Sequence, residues 1–277
     1  MTPTPRNPED RPIATLLAPD IVALLEESPA DIPAETEEIH PADLAQVAEL
    51  LEGEQLHAFL TALGPARAAD VLEYLDYDLR TEYLESVTPR QAAELVTEMT
   101  PDDRADTLEE IDEDRVEEIL SEIPTDARLE TEKLLAYEPD TAGGLMTTDY
   151  VVLDQAKTVA DALEAVRDSI KEDIRAAYVY CVADASRDEC ILLGMVALWD
   201  LLVAPQAQTL QELMETDIVT VTPDADPRTV AEIMAKYNLL AVPVVNAAGV
   251  LEGIVTVDDA LDVLLPPERR RKPTRMY

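Results

Sequence analysis

Glu138-Pro139-Asp140-Thr141-Ala142-Gly143-Gly144-Leu145-Met146-Thr147-Thr148-Asp149-Tyr150-Val151-Val152-Leu153 separates two kinds of sequence. Upstream lies an acidic, helix-patterned stretch almost without glycine; downstream, short Val/Ile-rich runs alternate with helical patterns. Gly143 and Gly144 accept positive φ and a close backbone approach, and Pro139 stops a helix, so the segment is expected to be a turn, with residues 138–149 as a hinge. A Gly-Gly pair alone would mean only a linker. Here carboxylates crowd the segments on both sides.

Working back from the joint, units starting at His40, Glu52, Gly64, Asp76, Thr88, Thr100 and Asp112 repeat with a period of about twelve residues, one short helix plus a turn. Each unit closes on an apolar residue: Leu51, Leu63, Leu75, Val87, Met99, Ile111 and Ile123. Leu60, Leu72, Leu84, Val96, Leu108 and Leu120 recur three positions earlier, which makes one apolar stripe per helix. Pro41, Pro65, Pro89 and Pro101 stand just inside unit starts, where the missing N–H has no helical partner to lose. Residues 13–27 read as a further helix. Single units cannot bury their stripes, so stacking into an α-helical superhelix is expected.

Working forward, the sequence duplicates itself. Leu145-Met146-Thr147-Thr148-Asp149-Tyr150-Val151 parallels Leu213-Met214-Glu215-Thr216-Asp217-Ile218-Val219, and Gly194-Met195-Val196-Ala197-Leu198-Trp199-Asp200 parallels Gly253-Ile254-Val255-Thr256-Val257-Asp258-Asp259. Each copy reads as extended segment, helix, strand, turn, strand, helix. The fold class is thus α+β and multidomain. The expected divisions are a disordered N-terminus (1–12), a helical superhelix (13–137), two α+β copies (138–204 and 205–265) and a basic tail (266–277) carrying Arg269, Arg270, Arg271, Lys272 and Arg275.

Composition narrows function. The 277 residues carry 59 Asp+Glu against 21 Lys+Arg, a formal net charge of −38 that repels nucleic acid and anionic lipid and favours cations. A solvated acidic surface suited to a salt-rich cytoplasm accounts for most of that charge, since few carboxylates ever ligate an ion. Two cysteines and two histidines exclude a disulfide framework and argue against a zinc centre. The apolar run Ile191–Ala204 is too short to cross a bilayer, and the N-terminus lacks a signal peptide's apolar core, so a cytoplasmic chain without a transmembrane segment is expected. No phosphate-loop, nucleophile-elbow or zinc motif is present, and an enzyme is not expected.

Leu240-Ala241-Val242-Pro243-Val244-Val245-Asn246 running into Gly253-Ile254-Val255-Thr256-Val257-Asp258-Asp259 resembles one half of a tandem pair of cystathionine-β-synthase (CBS) domains. Helical repeats, then Tyr137-Glu138-Pro139-Asp140-Thr141-Ala142-Gly143-Gly144-Leu145-Met146-Thr147, then a CBS pair, is an order similar to the cytosolic part of MgtE-type magnesium channels. The resemblance covers about residues 15–265. Family members continue into a membrane pore, whereas here Pro266-Pro267 and a short tail follow Leu265.

The resemblance implies Mg²⁺ held between helical and CBS domains, with candidate ligands Asp70, Asp102, Asp106, the Gly144 carbonyl, Asp226, Asp259 and Asp262. Independently, Asp102 and Asp106 are four apart and Asp259 and Asp262 three apart, spacings that place each pair on one helix face. Arg228 and Asn238 stand where family members can carry acidic ligands, which implies fewer or weaker ions. For Asp102 and its like, a helix-start role without metal is the competing reading. Closure by Mg²⁺ and opening by carboxylate repulsion would make a switch. Thr256 and Asp259 also match residues with which CBS domains hold adenine nucleotides, and a partner-binding scaffold is a third reading. CBS modules imply a homodimer, with a separate membrane transporter or regulatory protein as the object of control.

Overall fold

The computed structural model describes residues 13–171, 174–185 and 190–265. The expected disordered N-terminus and basic tail lie outside the described residues. The chain divides into two compact units. One runs up to Met99 and resumes over Thr107–Arg128; the other comprises Thr100–Asp106 and the described chain from Leu129 onward.

The helical part contains α1 (Ile13–Glu27), a 3-10 turn (Pro29–Asp31), α2 (Ile32–Thr36), α3 (Pro41–Ala48), α4 (Gly53–Leu63), α5 (Pro65–Glu73), α6 (Tyr77–Ser86), α7 (Pro89–Thr97), α8 (Pro101–Glu109), α9 (Glu113–Glu122) and α10 (Thr125–Leu134). The helices begin where the repeat predicts, and caps explain why. His40 Nδ1 accepts the Ala42 N–H at 3.1 Å, Asp76 accepts that of Asp78 at 3.1 Å, and Thr88 forms a reciprocal capping box with Gln91. Such caps contribute about 1 kcal/mol each.

The recurring apolar residues Leu60, Leu72, Leu84, Val96 and Leu108 are all buried in the helical unit. Each leucine contributes roughly 1.5–3 kcal/mol of apolar transfer. The odd-numbered helices pack in succession, α1 on α3, α3 on α5, α5 on α7 and α7 on α9, with α4 also against α1 and α5, so two sequence units make one structural repeat. Arginines close the stack. Arg67 donates to the carbonyls of Thr36 and Ile39, and Arg115, at the corresponding place further along, donates to those of Leu84 and Val87. The carbonyls left over at helix ends are thereby satisfied.

The second unit carries α11 (Ala142–Leu145), β1 (Val151–Asp154), α12 (Val159–Lys171), β2 (Tyr178–Val182), β3 (Leu192–Ala197), α13 (Leu198–Val203), α14 (Leu210–Leu213), α15 (Pro227–Tyr237), β4 (Ala241–Val245), β5 (Leu251–Thr256) and α16 (Val257–Leu264). β1 pairs parallel with β2, and β2 antiparallel with β3. β4 pairs antiparallel with β5, and a parallel bridge from Val221 to Val244 stands where β1 stands in the first copy. The β4–β5 turn follows the expected chemistry: Gly249 takes φ +80° and Asn246 Oδ1 accepts the Ala248 N–H. An apolar cluster of Tyr180, Met195, Ala241, Leu251 and Ile254 joins the two sheets.

The two copies exchange their leading segments. Thr147, in the leading segment of the first copy, forms a bridge with Ile254 of β5 in the second; Glu215, in the leading segment of the second, forms one with Met195 of β3 in the first. Residues 138–204 and 205–265 are therefore contiguous in sequence but interleaved in space.

The joint differs from the turn expected of it. Gly143 and Gly144 sit in the short helix α11, and among the described glycines only Gly64 and Gly249 have positive φ. Their need for hydrogen in place of Cβ comes from crowding: a Cβ on Gly143 would meet the Tyr137 ring at 2.5 Å, and one on Gly144 the Pro139 carbonyl at 2.4 Å. Gly143 is buried, and the chain passes between units at Met99–Thr100, Asp106–Thr107 and Arg128–Leu129, none of them at the glycines.

Candidate functional site

Six of the seven expected magnesium ligands belong to the second unit; Asp70 belongs to the first. Asp102 and Asp106 stand on the first turns of α8, Asp102 buried and Asp106 half-buried. Asp259 and Asp262 stand on α16, each 7% exposed. Ala105 of α8 and Ala260 of α16 share one apolar cluster with Ala142, Met146, Val230 and Met234. The four aspartates thus border a common core. A carboxylate below a tenth exposed needs compensating hydrogen bonds or cations, because burial removes its hydration.

The other candidates take different places. Asp226 caps α15, accepting the Thr229 N–H at 2.9 Å, which is the helix-start role weighed against metal ligation. Asp70 makes an Arg67 contact at 3.6 Å on α5. Gly144 is half-buried, and its N–H donates to Thr141 Oγ1 at 3.3 Å. Among the described residues no group of three or more His, Cys, Asp or Glu side chains forms a ready metal cage.

The nucleotide candidates do converge. Thr256 immediately precedes α16, and its hydroxyl oxygen lies 2.6 Å from both Asp258 Oδ1 and Asp259 Oδ2. In the first copy Ala197 and an exposed Asp200 hold the corresponding positions, so hydroxyl and carboxylate come together only in the second.

Two polar networks were not expected. Arg104, 3% exposed on α8, donates from Nε to Thr131 Oγ1 and from its terminal nitrogen to Glu130, both at 2.7 Å; Thr148 donates to the same carboxylate. Glu252 on β5 accepts from Lys133 at 2.8 Å and Asn246 at 2.6 Å. Burial first, then Glu252, raises the Tyr137 phenol. Burial, with Cys190, Glu252 and Glu130 behind it, pushes Tyr150 up to about 12. No periodicity marks these residues. Gly194 and Gly253 did leave a signal, their matching place in the two copies: Cβ atoms there would meet Glu215 O at 2.5 Å and Met146 Sδ at 2.7 Å.

Comparison with known proteins bears on this arrangement. Residues 39–140 match the MgtE intracellular N domain, and residues 210–266 match the CBS domain. A solved structure of the cytosolic domain of the Mg²⁺ channel MgtE in complex with ATP superposes with a TM-score of 0.81, at 37% identity, over 89% of this chain and 100% of that one. The chain belongs to the MgtE family. The soluble part of a magnesium transporter superposes at 0.82, with 27% identity over 91% of this chain and 98% of that one. The magnesium transporter MgtE of Thermus thermophilus is 42% identical over 135 residues, 49% of this chain and 29% of the transporter. The MgtE of Bacillus subtilis is 35% identical over 48% of this chain and 28% of its own length. The chain thus spans under a third of these MgtE transporters in the matched region, and among its described residues no helix is long and apolar enough to cross a membrane.

Proposed function

We propose that this MgtE-family chain is a cytoplasmic, non-enzymatic regulatory module that senses Mg²⁺ on behalf of magnesium transport. The observation that supports the reading is that buried or half-buried aspartates of α8 and α16 neighbour in sequence Ala105 and Ala260, which belong to one apolar cluster. Asp102, Asp106, Asp259 and Asp262 would hold the ion, with Gly144, Asp226 and Asp70 as the remaining candidates implied by the family. Mg²⁺ supplies two positive charges and water-filled coordination positions. The chain's own contribution is to hold anionic oxygens on rigid helices in partly dehydrated surroundings, where attraction to a cation is stronger than in water. Binding only one arrangement of the protein would make the ion a switch between closed and open forms.

The test is calorimetry and limited proteolysis of the full chain in MgCl₂ at constant ionic strength. Saturable binding and Mg²⁺-dependent protection are expected, with both lost in the combined D102N, D106N, D259N and D262N variant. Unchanged protection in that variant would overturn the reading.

A second reading is adenine-nucleotide binding by the second CBS copy. The Thr256–Asp259 contact and the ATP complex of the related MgtE structure favour it. Nucleotide binding without Mg²⁺ that disappears in Thr256→Val would establish it. A homodimer through the CBS domains fits the exposed apolar residues Trp199, Leu202 and Val203 of α13 and Ile170 of α12. The regulated object is proposed to be a membrane transporter.

A further inference from the structure

We infer that Thr141–Thr147 is a strap that transmits occupancy at the Thr256–Asp259 end of α16 to the segment entering from α10; the occupancy half of this rests on the proposed function. The strap is gripped along its length. Ala142 N–H donates to the Ala225 carbonyl and Gly143 N–H to that of Pro223, both at 2.8 Å. Thr147 and Ile254 exchange both backbone hydrogen bonds, at 2.9 and 3.0 Å.

These attachment points are the immediate neighbours of candidate ligand residues. Ala225 precedes Asp226, the cap of α15, and Ile254 lies two residues before Thr256, which holds Asp259. Met146 is fully buried against Gly253, whose missing Cβ leaves room for its Sδ and for the Thr147 carbonyl. A shift of β5 or of the α15 cap therefore cannot leave the strap in place without breaking backbone hydrogen bonds or close packing.

The duplicated half provides the comparison. Glu215 and Met195 exchange the same pair of bonds, and Gly194 faces Met214 as Gly253 faces Met146. That second strap lies on β3, which leads to Ala197 and carries no hydroxyl–carboxylate pair. Only the first strap joins a ligand-bearing strand to α10, whose Lys133 also pairs with Glu252 on that strand.

Hydrogen exchange on the full chain, read by mass spectrometry over peptides 141–147, 213–216 and 256–262, tests the strap with MgCl₂ and, separately, ATP as probes. In the wild type, a probe that slows exchange in 256–262 should also slow 141–147 and leave 213–216 unchanged. Gly253→Ala should accelerate 141–147 by about tenfold while sparing 213–216, and should confine probe protection to 256–262. Gly194→Ala should accelerate 213–216 alone. Met146→Ala, which removes the packed partner without adding an atom, should reproduce the Gly253→Ala pattern. Protection of 256–262 that never reaches 141–147 would overturn the strap and leave the sensing reading intact. Lack of protection at 256–262 from either probe would overturn the sensing reading and the transmission with it. Equal acceleration of both straps in every variant would overturn the strap as a separate element.

Discussion

At Gly144 an added Cβ would lie 2.4 Å from the Pro139 carbonyl oxygen and 2.6 Å from that of Glu138. Backbone cannot step aside as a side chain can, so Gly144→Ala should destabilise the chain by about 2–3 kcal/mol. Gly143→Ala, where the obstruction is the Tyr137 ring, should cost less, and urea unfolding of the two variants will rank them. These glycines stood out in the sequence, but their reason did not. Glycine serves both positive φ and close approach, and only the folded structure distinguishes the two. The arginines illustrate the reverse case. Arg67, Arg104 and Arg115 belong to no motif, yet Arg67 and Arg115 satisfy backbone carbonyls near helix ends and Arg104 holds the half-buried Glu130 carboxylate, all through contacts distant in sequence.

Among the elements, α13 presents Trp199, 68% exposed, with Leu202 and Val203 beside it, while Leu201 is fully buried beneath. A six-residue helix with apolar residues on both sides is matched to a partner surface as well as to its own core. If the CBS pair dimerises through this helix, the Trp199→Glu, Leu202→Lys double variant should be monomeric by analytical ultracentrifugation and keep the wild-type far-UV spectrum. A dimer surviving that change would assign the interface elsewhere. The helical repeat was legible at this scale because cap and stripe are local: His40, Asp76 and Thr88 mark helix starts within a few residues of the groups they serve. The strand exchange was not, because Thr147 and Ile254 are far apart in the chain and no short-range pattern specifies their register.

For the whole molecule, a net charge of −38 opposes compaction through self-repulsion. Raising KCl from about 0.1 M to about 1 M shortens the screening length from about 10 Å to about 3 Å, so the thermal midpoint should rise with salt. MgCl₂ at equal ionic strength should raise it further if the α8 and α16 aspartates bind the ion. A midpoint indifferent to KCl would show that the acidity is balanced locally, and one equally responsive to both salts would leave only screening. By itself the sequence determined the order and type of the elements: twelve-residue helical units, a glycine-containing joint and two similar α+β halves. Periodicity, caps and turn residues act between near neighbours, so they can be read along the chain. Only the tertiary structure decided that the halves interleave, that the glycines are helical and crowded, and that Asp102, Asp259 and Asp262 are largely withdrawn from water. Register and dehydration are set by groups the fold brings together from distant positions.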